Sequence, residues 1–293
     1  MILSFHPCYV AEVNRLCAGR DPDEADLAAI RSADAVILPQ GCRPSLYRMA
    51  RQNNPHVFPN YDACFDYPGK TGQARLFQKL DAARPRTWIF ENTEQFRRRG
   101  TAVHDAGFPL VLKLDWGGEG ETVFLLRTLA ELKDAVATAA GYERTGQAGF
   151  VIQRFIPHGH RSLRVAVIGH SRAAYWRVQD SSRVFGTSVA KGARIDTTSD
   201  SHLIQMGQGM VDAFCRRSGI DLAGIDLIFE ETAQADESPR PLFLEINYFF
   251  GRTGLGGSER FYEILQAAID RWLADRGLAV SRTSTETCSG DKP

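Results

Sequence analysis

The sequence predicts an α+β fold: a short α/β unit at the amino terminus, then a longer region of hairpin strands and separate helices. Three observations predict it. Strand-like and helix-like segments alternate over the first sixty residues. Three strand-like runs at 150–155, 163–168 and 173–178 are joined by Gly-containing turns. Two further runs, 223–229 and 241–247, flank a polar loop as a long hairpin would. A length of 293 residues suits about two domains with a cleft.

In the first unit, residues 2–5 form a short apolar strand. Residues 23–32 (DEADLAAIRS) read as a helix, with acidic side chains in the first turn, where they favour the helix dipole. Residues 35–38 (AVIL) are a buried-type strand stopped by Pro39. A helix at 45–52 follows Pro44, and a third short strand at 56–58 precedes Pro59. This unit is too short for a full dinucleotide-binding domain. Tyr67-Pro68-Gly69 then punctuates the chain, and 70–81 is an amphipathic helix. A strand at 88–90 and a helix at 93–99 lead to 108–114 (FPLVLKL), a strand interrupted late by one lysine. It runs into the loop 115–121 (DWGGEGE) and out through a strand at 122–126. A helix at 129–140, the three strands, a helix at 208–218, the hairpin and a closing helix at 261–275 complete the order. The segment 281–293 lacks apolar anchors and is expected to be disordered. There is no internal repeat. The expected domains are therefore 1–66 and 67–280.

Charged residues at 24% and apolar residues at 43% exclude wholesale disorder and fibrous repeats. No apolar run approaches the roughly 18 residues needed to cross a bilayer. Thirty-five basic residues balance 35 acidic ones, which argues against a broad nucleic-acid or anionic-membrane surface. The basic side is lopsided, with six lysines (70, 79, 113, 133, 191, 292) against 29 arginines. The six cysteines form no CxxC pair and no zinc spacing, and MILSFHPCYV has no basic leader. Free thiols and a cytoplasmic location are expected.

The hairpin carries the first chemistry. In LEIN, Glu245 and Asn247 lie two apart on a strand, so they share a face while Leu244 and Ile246 turn to a core. If the strands pair, Asp226 of GIDLIF joins that face. Two carboxylates and an amide oxygen are hard ligands of the kind Mg²⁺ accepts; the alternative is a solvated sheet face. Lys113, in the middle of VLKL, is costly if buried without an anion. The GGEG loop after it offers backbone N–H groups without Cβ atoms, which suits a phosphate; the alternative is an edge-strand lysine before a turn. Lys70 in PGKT imitates a phosphate-binding P-loop, but position 64 is Cys where that motif needs Gly, so the motif is rejected.

These pieces in this order resemble the ATP-grasp family, and within it the RimK-like branch of glutathione synthetase and the ligases that add glutamate to a peptide or ribosomal-protein terminus. The resemblance covers about 67–275, through the GK that opens a helix at Lys70, FPLVLK with GGEG, VIQRFIP followed by LRVAVIG, AGIDLIF, and LEIN. It implies two α+β subdomains, 67–149 and 150–280, clamping ATP behind a small leading domain. It further implies that Lys70 and Lys113 contact the phosphates, with Gly117, Gly118 and Gly120 in a mobile lid. Gln153, Phe155 and Ile156 would read adenine, largely through backbone groups. Arg164 would join Lys113 at the catalytic centre beside the γ-phosphate. Arg177 and Lys191 would contact substrate and phosphate, and Asp226, Glu245 and Asn247 would hold Mg²⁺ or Mn²⁺.

The chain departs from the family pattern in places. The segment His160-Arg161-Ser162 has no acid for the ribose hydroxyls, position 154 is Arg rather than Glu, and Ser188 stands where related ligases carry an amide. After LEIN the chain reads YFFGRTGLGG, which is either a tight loop before the last helix or an anion site with Arg252 gripping a carboxylate. The implied activity is ADP-forming ligation of a small-molecule or peptide carboxylate to an amine through an acyl phosphate. Phosphate transfer to a small acceptor and a non-catalytic ATP-binding regulatory module are the competing readings. No nucleic-acid or membrane partner is expected. The assembly is open, with a homodimer the commonest arrangement.

Overall fold

The structure, a computed structural model, describes residues 1–118, 120–181, 183–231 and 238–279; Glu119 of the glycine loop and the tail 281–293 expected to be disordered lie outside the described residues. The chain divides into two compact units. One is Met1–Asn60 with the segment from Ser258 onward, and the other is Tyr61–Gly257.

The first unit holds four short parallel strands, β1 (Ile2–Ser4), β2 (Val13–Asn14), β3 (Ala35–Ile37) and β4 (Val57–Phe58), in the order β2-β1-β3-β4. Helix α1 (Glu24–Ser32) precedes β3, and α2 (Pro44–Asn53) follows it. Helix α1 starts where it does because Asp23 accepts from the Asp26 N–H and the Asp26 side chain accepts from the Asp23 N–H, a reciprocal capping box. Asp26 is fully buried, and Arg20 and Arg15 neutralise it, which holds its carboxyl well below the usual range. The closing helix Ser258–Ala274 belongs to this unit, whereas the sequence reading placed it in the region 67–280. Its Trp272 ring sits 5.6 Å from Phe58 of β4, and the Tyr9 hydroxyl donates to Asp270 at 2.7 Å. Sequence periodicity cannot tell which sheet an apolar helix face will meet.

The second unit opens with α3 (Asp62–Asp66), α4 (Gly69–Lys79), β5 (Thr87–Phe90), α5 (Thr93–Arg99), α6 (Thr101–His104), β6 (Leu110–Leu114), β7 (Val123–Leu126), α7 (Leu129–Glu143) and β8 (Phe150–Arg154). Their strands form an antiparallel sheet in the order β5-β8-β6-β7. Then come β9 (Arg161–Ile168), β10 (Ser171–Val178), β11 (Arg194–Asp196), α8 (Ser201–Ser218), β12 (Leu222–Glu230) and β13 (Arg240–Asn247), giving a second antiparallel sheet, β11-β10-β9-β12-β13. Each sheet has its own core. Leu110, Leu112, Leu114, Phe150 and Ile152 pack with α7 residues behind the first. Leu163, Val165, Ile225, Leu227 and Phe243 pack with α4 and α8 residues behind the second. Helix α8 begins seven residues before the position the sequence suggested. Its buried stripe Leu203, Gly207, Val211 continues across the glycine, whose missing Cβ would lie 2.4 Å from Leu163. No helix among the described residues is long and apolar enough to cross a membrane, and the five described cysteines are free.

Candidate active site

Strand alternation that sends one set of side chains into each core sends the other set into a shared cavity of about 530 Å³ in the second unit. On β6, Leu110, Leu112 and Leu114 enter the core while Val111 and Lys113 face the cavity; on β8, Gln153 does so beside Val111. Lys113 is buried, 7% exposed, and its ammonium forms no hydrogen bond or ion pair among the described residues. Burial, helped by the Lys70 charge, lowers its pKa to about 8, while Glu245 and Asp226 pull the other way.

On the second sheet the alternation builds a polar row. Tyr175 of β10, Arg164 of β9, Asp226 of β12 and Glu245 of β13 are register neighbours across four strands. Arg164 grips Asp226 bidentately, through Nε to Oδ1 and through Nη2 to Oδ2 at 3.0 Å. Arg177 adds an ion pair to Asp226 at 2.8 Å and donates to Ser162 Oγ at 2.9 Å. Asn247 Nδ2 donates to Asp226 Oδ2 at 3.2 Å. Burial alone would raise the Asp226 pKa, but the two guanidinium charges outweigh it and hold the carboxyl below its usual range. Gly224 makes this packing possible, since a Cβ there would lie 2.8 Å from Arg164 Nη1 and 3.0 Å from Phe250 Cβ.

The hairpin face differs in one respect from the simple alternation. The β12–β13 register shifts between Asp226 and Leu227, so Asp226 opposes Glu245 while Leu227 opposes Phe243. Leu244 is thus the extra residue of a β-bulge. It lines the cavity beside Glu245 and packs with Ile156, Ile228 and Leu242 instead of turning into the core with Ile246. Glu245 makes no ion pair among the described residues, and the Asn247 amide oxygen is left available by its donation through Nδ2. Asp226 arrives already matched by two arginines, so the unmatched carboxylate facing the cavity is Glu245. These oxygens suit a hard divalent cation, although no group of three His, Cys, Asp or Glu converges among the described residues.

Of the other expected residues, Gly118, Gly120, Phe155, Ile156 and Lys191 line the same cavity. Lys70 lines a smaller adjoining pocket with Lys113, Gln153 and Glu245. Gly117 lines neither. Lys70 Nζ donates to the carbonyls of Gly117 at 3.0 Å and Trp116 at 3.3 Å, and Lys191 Nζ donates to that of Gly120 at 2.8 Å. Of the three lysines expected near phosphate, Lys70 and Lys191 therefore hold the glycine loop and Lys113 does not. At the hinge, Gln153 Nε2 donates to Thr87 Oγ1 at 3.0 Å and Phe155 N–H donates to the Pro109 carbonyl at 3.3 Å. The Ile156 N–H makes no hydrogen bond among the described residues. The Gly-rich segment after LEIN is a tight loop with a 3₁₀ turn at Thr253–Leu255, and Phe249, Phe250 and Gly254 line the cavity while Arg252 does not. Ser162, Tyr175, Thr187 and His158 also line it, and the sequence reading assigned none of them a site role. For Ser162 and Tyr175 the signal was available, since they alternate with core residues beside Arg164 and Arg177.

Fold and site together define an ATP-grasp enzyme, an ADP-forming ligase class. The family model described as the RimK-like ATP-grasp domain matches residues 70–268, more than half of the sequence, and the chain belongs to that family. No curated protein matches it in sequence. Among solved structures it is similar to a RimK domain ATP-grasp protein from Sphaerobacter thermophilus (15% identity, TM-score 0.57, covering 91% of this chain and 98% of that one). It is also similar to the D-alanine–D-alanine ligase of Bacillus anthracis (13%, 0.59, 90% and 86%). A third is the ATP-grasp ligase PsnB complexed with precursor peptide PsnA2 and AMPPNP (16%, 0.53, 82% and 78%).

Proposed function

We propose that this protein is an ATP- and Mg²⁺-dependent carboxylate–amine ligase acting on a small-molecule or peptide substrate through an acyl phosphate. The observation that carries the reading is Lys113, a buried ammonium on the cavity face with no partner among the described residues. Such a charge needs an anion to be stable where it is. A triphosphate with its base at the free Ile156 N–H would supply one. Lys70 and Lys191 would leave the loop carbonyls for phosphate oxygens, and Gly117, Gly118 and Gly120 would offer N–H groups over them. Glu245 and Asn247, with Asp226, would hold Mg²⁺, which neutralises phosphate charge when bound.

In this reading the substrate carboxylate attacks the γ-phosphorus, ADP leaves, and the amine then attacks the acyl carbon as phosphate departs. Lys113, Arg164 and Arg177 stabilise the charge that develops, and the protein forms no covalent bond itself. The PsnB and D-alanine ligase likenesses support the substrate class, as a peptide or an amino acid. The test is ATP turnover over a panel of amino acids and peptides with products identified by mass. Ligation predicts ADP, phosphate and a product lighter than its parts by one water, all lost on chelation with EDTA. A stable phosphorylated product would replace this reading with phosphate transfer, and binding with no turnover by any member would leave a regulatory module.

A further inference from the structure

Strand register divides the cavity along the second sheet into three stations. At one end, next to the hinge, Ile156 packs with Ile228, Leu242 and Leu244. The row of Tyr175, Arg164, Asp226 and Glu245 crosses the middle. Two residues past Glu245, about 7 Å further along the strand, Asn247 opposes Gly224 and β13 gives way to the loop 248–257. That loop closes the far end. A Cβ on Gly254 would lie 2.2 Å from the Tyr175 ring, and one on Gly224 would lie 3.0 Å from Phe250 Cβ, so the loop rests directly on the sheet. On the ATP reading, a nucleotide with its base at Ile156 and its phosphates at Lys113 and the middle row leaves this end to the substrate.

Two side chains there have no task so far. Tyr175 is 3% exposed and faces the cavity, while Trp176 beside it enters the core. The Tyr175 hydroxyl forms no hydrogen bond among the described residues. Burial raises its pKa against the pull of Arg164 and Arg177, so the hydroxyl keeps its proton and can donate. A buried hydroxyl without a partner is costly, and a ligand oxygen beside Arg164 would satisfy it. Phe249 is the opposite case. It lines the cavity yet is 72% exposed, next to the buried Phe250. Such a ring, held on a tight loop, is apolar surface available for a ligand to cover. The loop adds Phe250, Gly251, Thr253 and Gly254 to the lining but no charged side chain.

We propose that this end binds a carboxylate substrate with an uncharged, apolar side chain, Tyr175 donating to the carboxylate and Phe249 covering the side chain. The assignment rests on the ligase reading above. A carboxylate only accepts hydrogen bonds, which matches a hydroxyl that has a proton to donate. A charged side chain would meet no opposite charge on the loop. An apolar one removes its own surface and that of the Phe249 ring from water together.

Hydroxylamine in place of the amine isolates the choice of carboxylate. Its nitrogen attacks the acyl carbon, the bond to the phosphate oxygen breaks, phosphate leaves, and a proton passes to water. The hydroxamate that remains is counted by mass. The carboxylates are leucine, methionine and phenylalanine against aspartate, glutamate and lysine, each free, N-acetylated and at the end of a Gly-Gly peptide, with ATP and Mg²⁺. Wild type should favour the apolar members by about 10-fold or more in kcat/KM. Tyr175→Phe, which loses only the hydroxyl, should raise the KM for the carboxylate about 10-fold or more while ATP binding is unchanged. Phe249→Ser, at an exposed position, should lower kcat/KM about 10-fold for the apolar members and leave the charged ones unaffected. A wild type that favours charged members, a Phe249→Ser that slows all members alike, or a Tyr175→Phe with unchanged KM would overturn the proposal. In each of those cases hydroxamate still forms, and the ligase reading stands. No hydroxamate from any carboxylate would overturn the ligase reading itself, and this proposal with it.

Discussion

Lys113 shows at one residue how the proposed ligand site sets itself against stability. Its ammonium is desolvated in the free protein, and its pKa of about 8 lies below the ordinary 10.5. Below pH 8 the lysine is charged in both folded and unfolded chains, so the folded state bears the full desolvation cost. Between about 8 and 10.5 the folded chain gives up a proton that the unfolded chain keeps, so stability rises with pH. Lys113→Met removes the cost. In denaturant titrations without nucleotide or metal it should be more stable than wild type by about 1–3 kcal/mol at pH 7, with the gap closing by pH 10. The same variant should lose ATP turnover. A less stable Lys113→Met at pH 7, or one that still turns over ATP, would remove the lysine from its assigned place.

At the scale of elements, the site depends on how β12 lies between β9 and β13. Gly224→Ala sets a methyl against Arg164 and Phe250 and should push the guanidinium off Asp226. A cost of about 1–3 kcal/mol is expected from overpacking, read as a lower melting temperature, together with weaker ATP binding. An alanine variant with wild-type stability and affinity would show that Arg164 can relocate freely. Part of this sheet was legible in the sequence, because period-two alternation in LEIN sets Glu245 and Asn247 on one face, which Asp226 of GIDLIF joins by strand pairing, while Arg164 was reached only through the family resemblance. The bulge at Leu244 was not, since one extra residue leaves the pattern of apolar and polar letters unchanged while moving a side chain across the sheet. Nor was the Arg164–Asp226 pair, whose members are 62 positions apart and meet only through strand pairing. The short strand β11 carries the letters RID, too few and too polar to read as a strand.

The whole molecule gathers both ends of its described chain into one unit. The closing helix buries Phe261, Leu265, Ile269, Trp272 and Leu273. Five side chains at about 1.5–3 kcal/mol each are comparable with the roughly 5–15 kcal/mol by which a domain is stable. A chain stopped at Gly257 should therefore lose the protease resistance of residues 1–60, while one ending at 279 keeps it; equal resistance in limited proteolysis would show that the first unit folds without the helix. The neutral net charge of the chain conceals a cationic cavity, which sets Lys113, Arg154, Arg164, Arg177 and Lys191 against Asp226 and Glu245. This division of the chain also bears on how the protein is made. During synthesis, residues 61–257 are complete before the helix that finishes the first unit has been translated. Residues 1–60 therefore leave the ribosome well before the helix that completes their unit, and the second unit can fold ahead of the first.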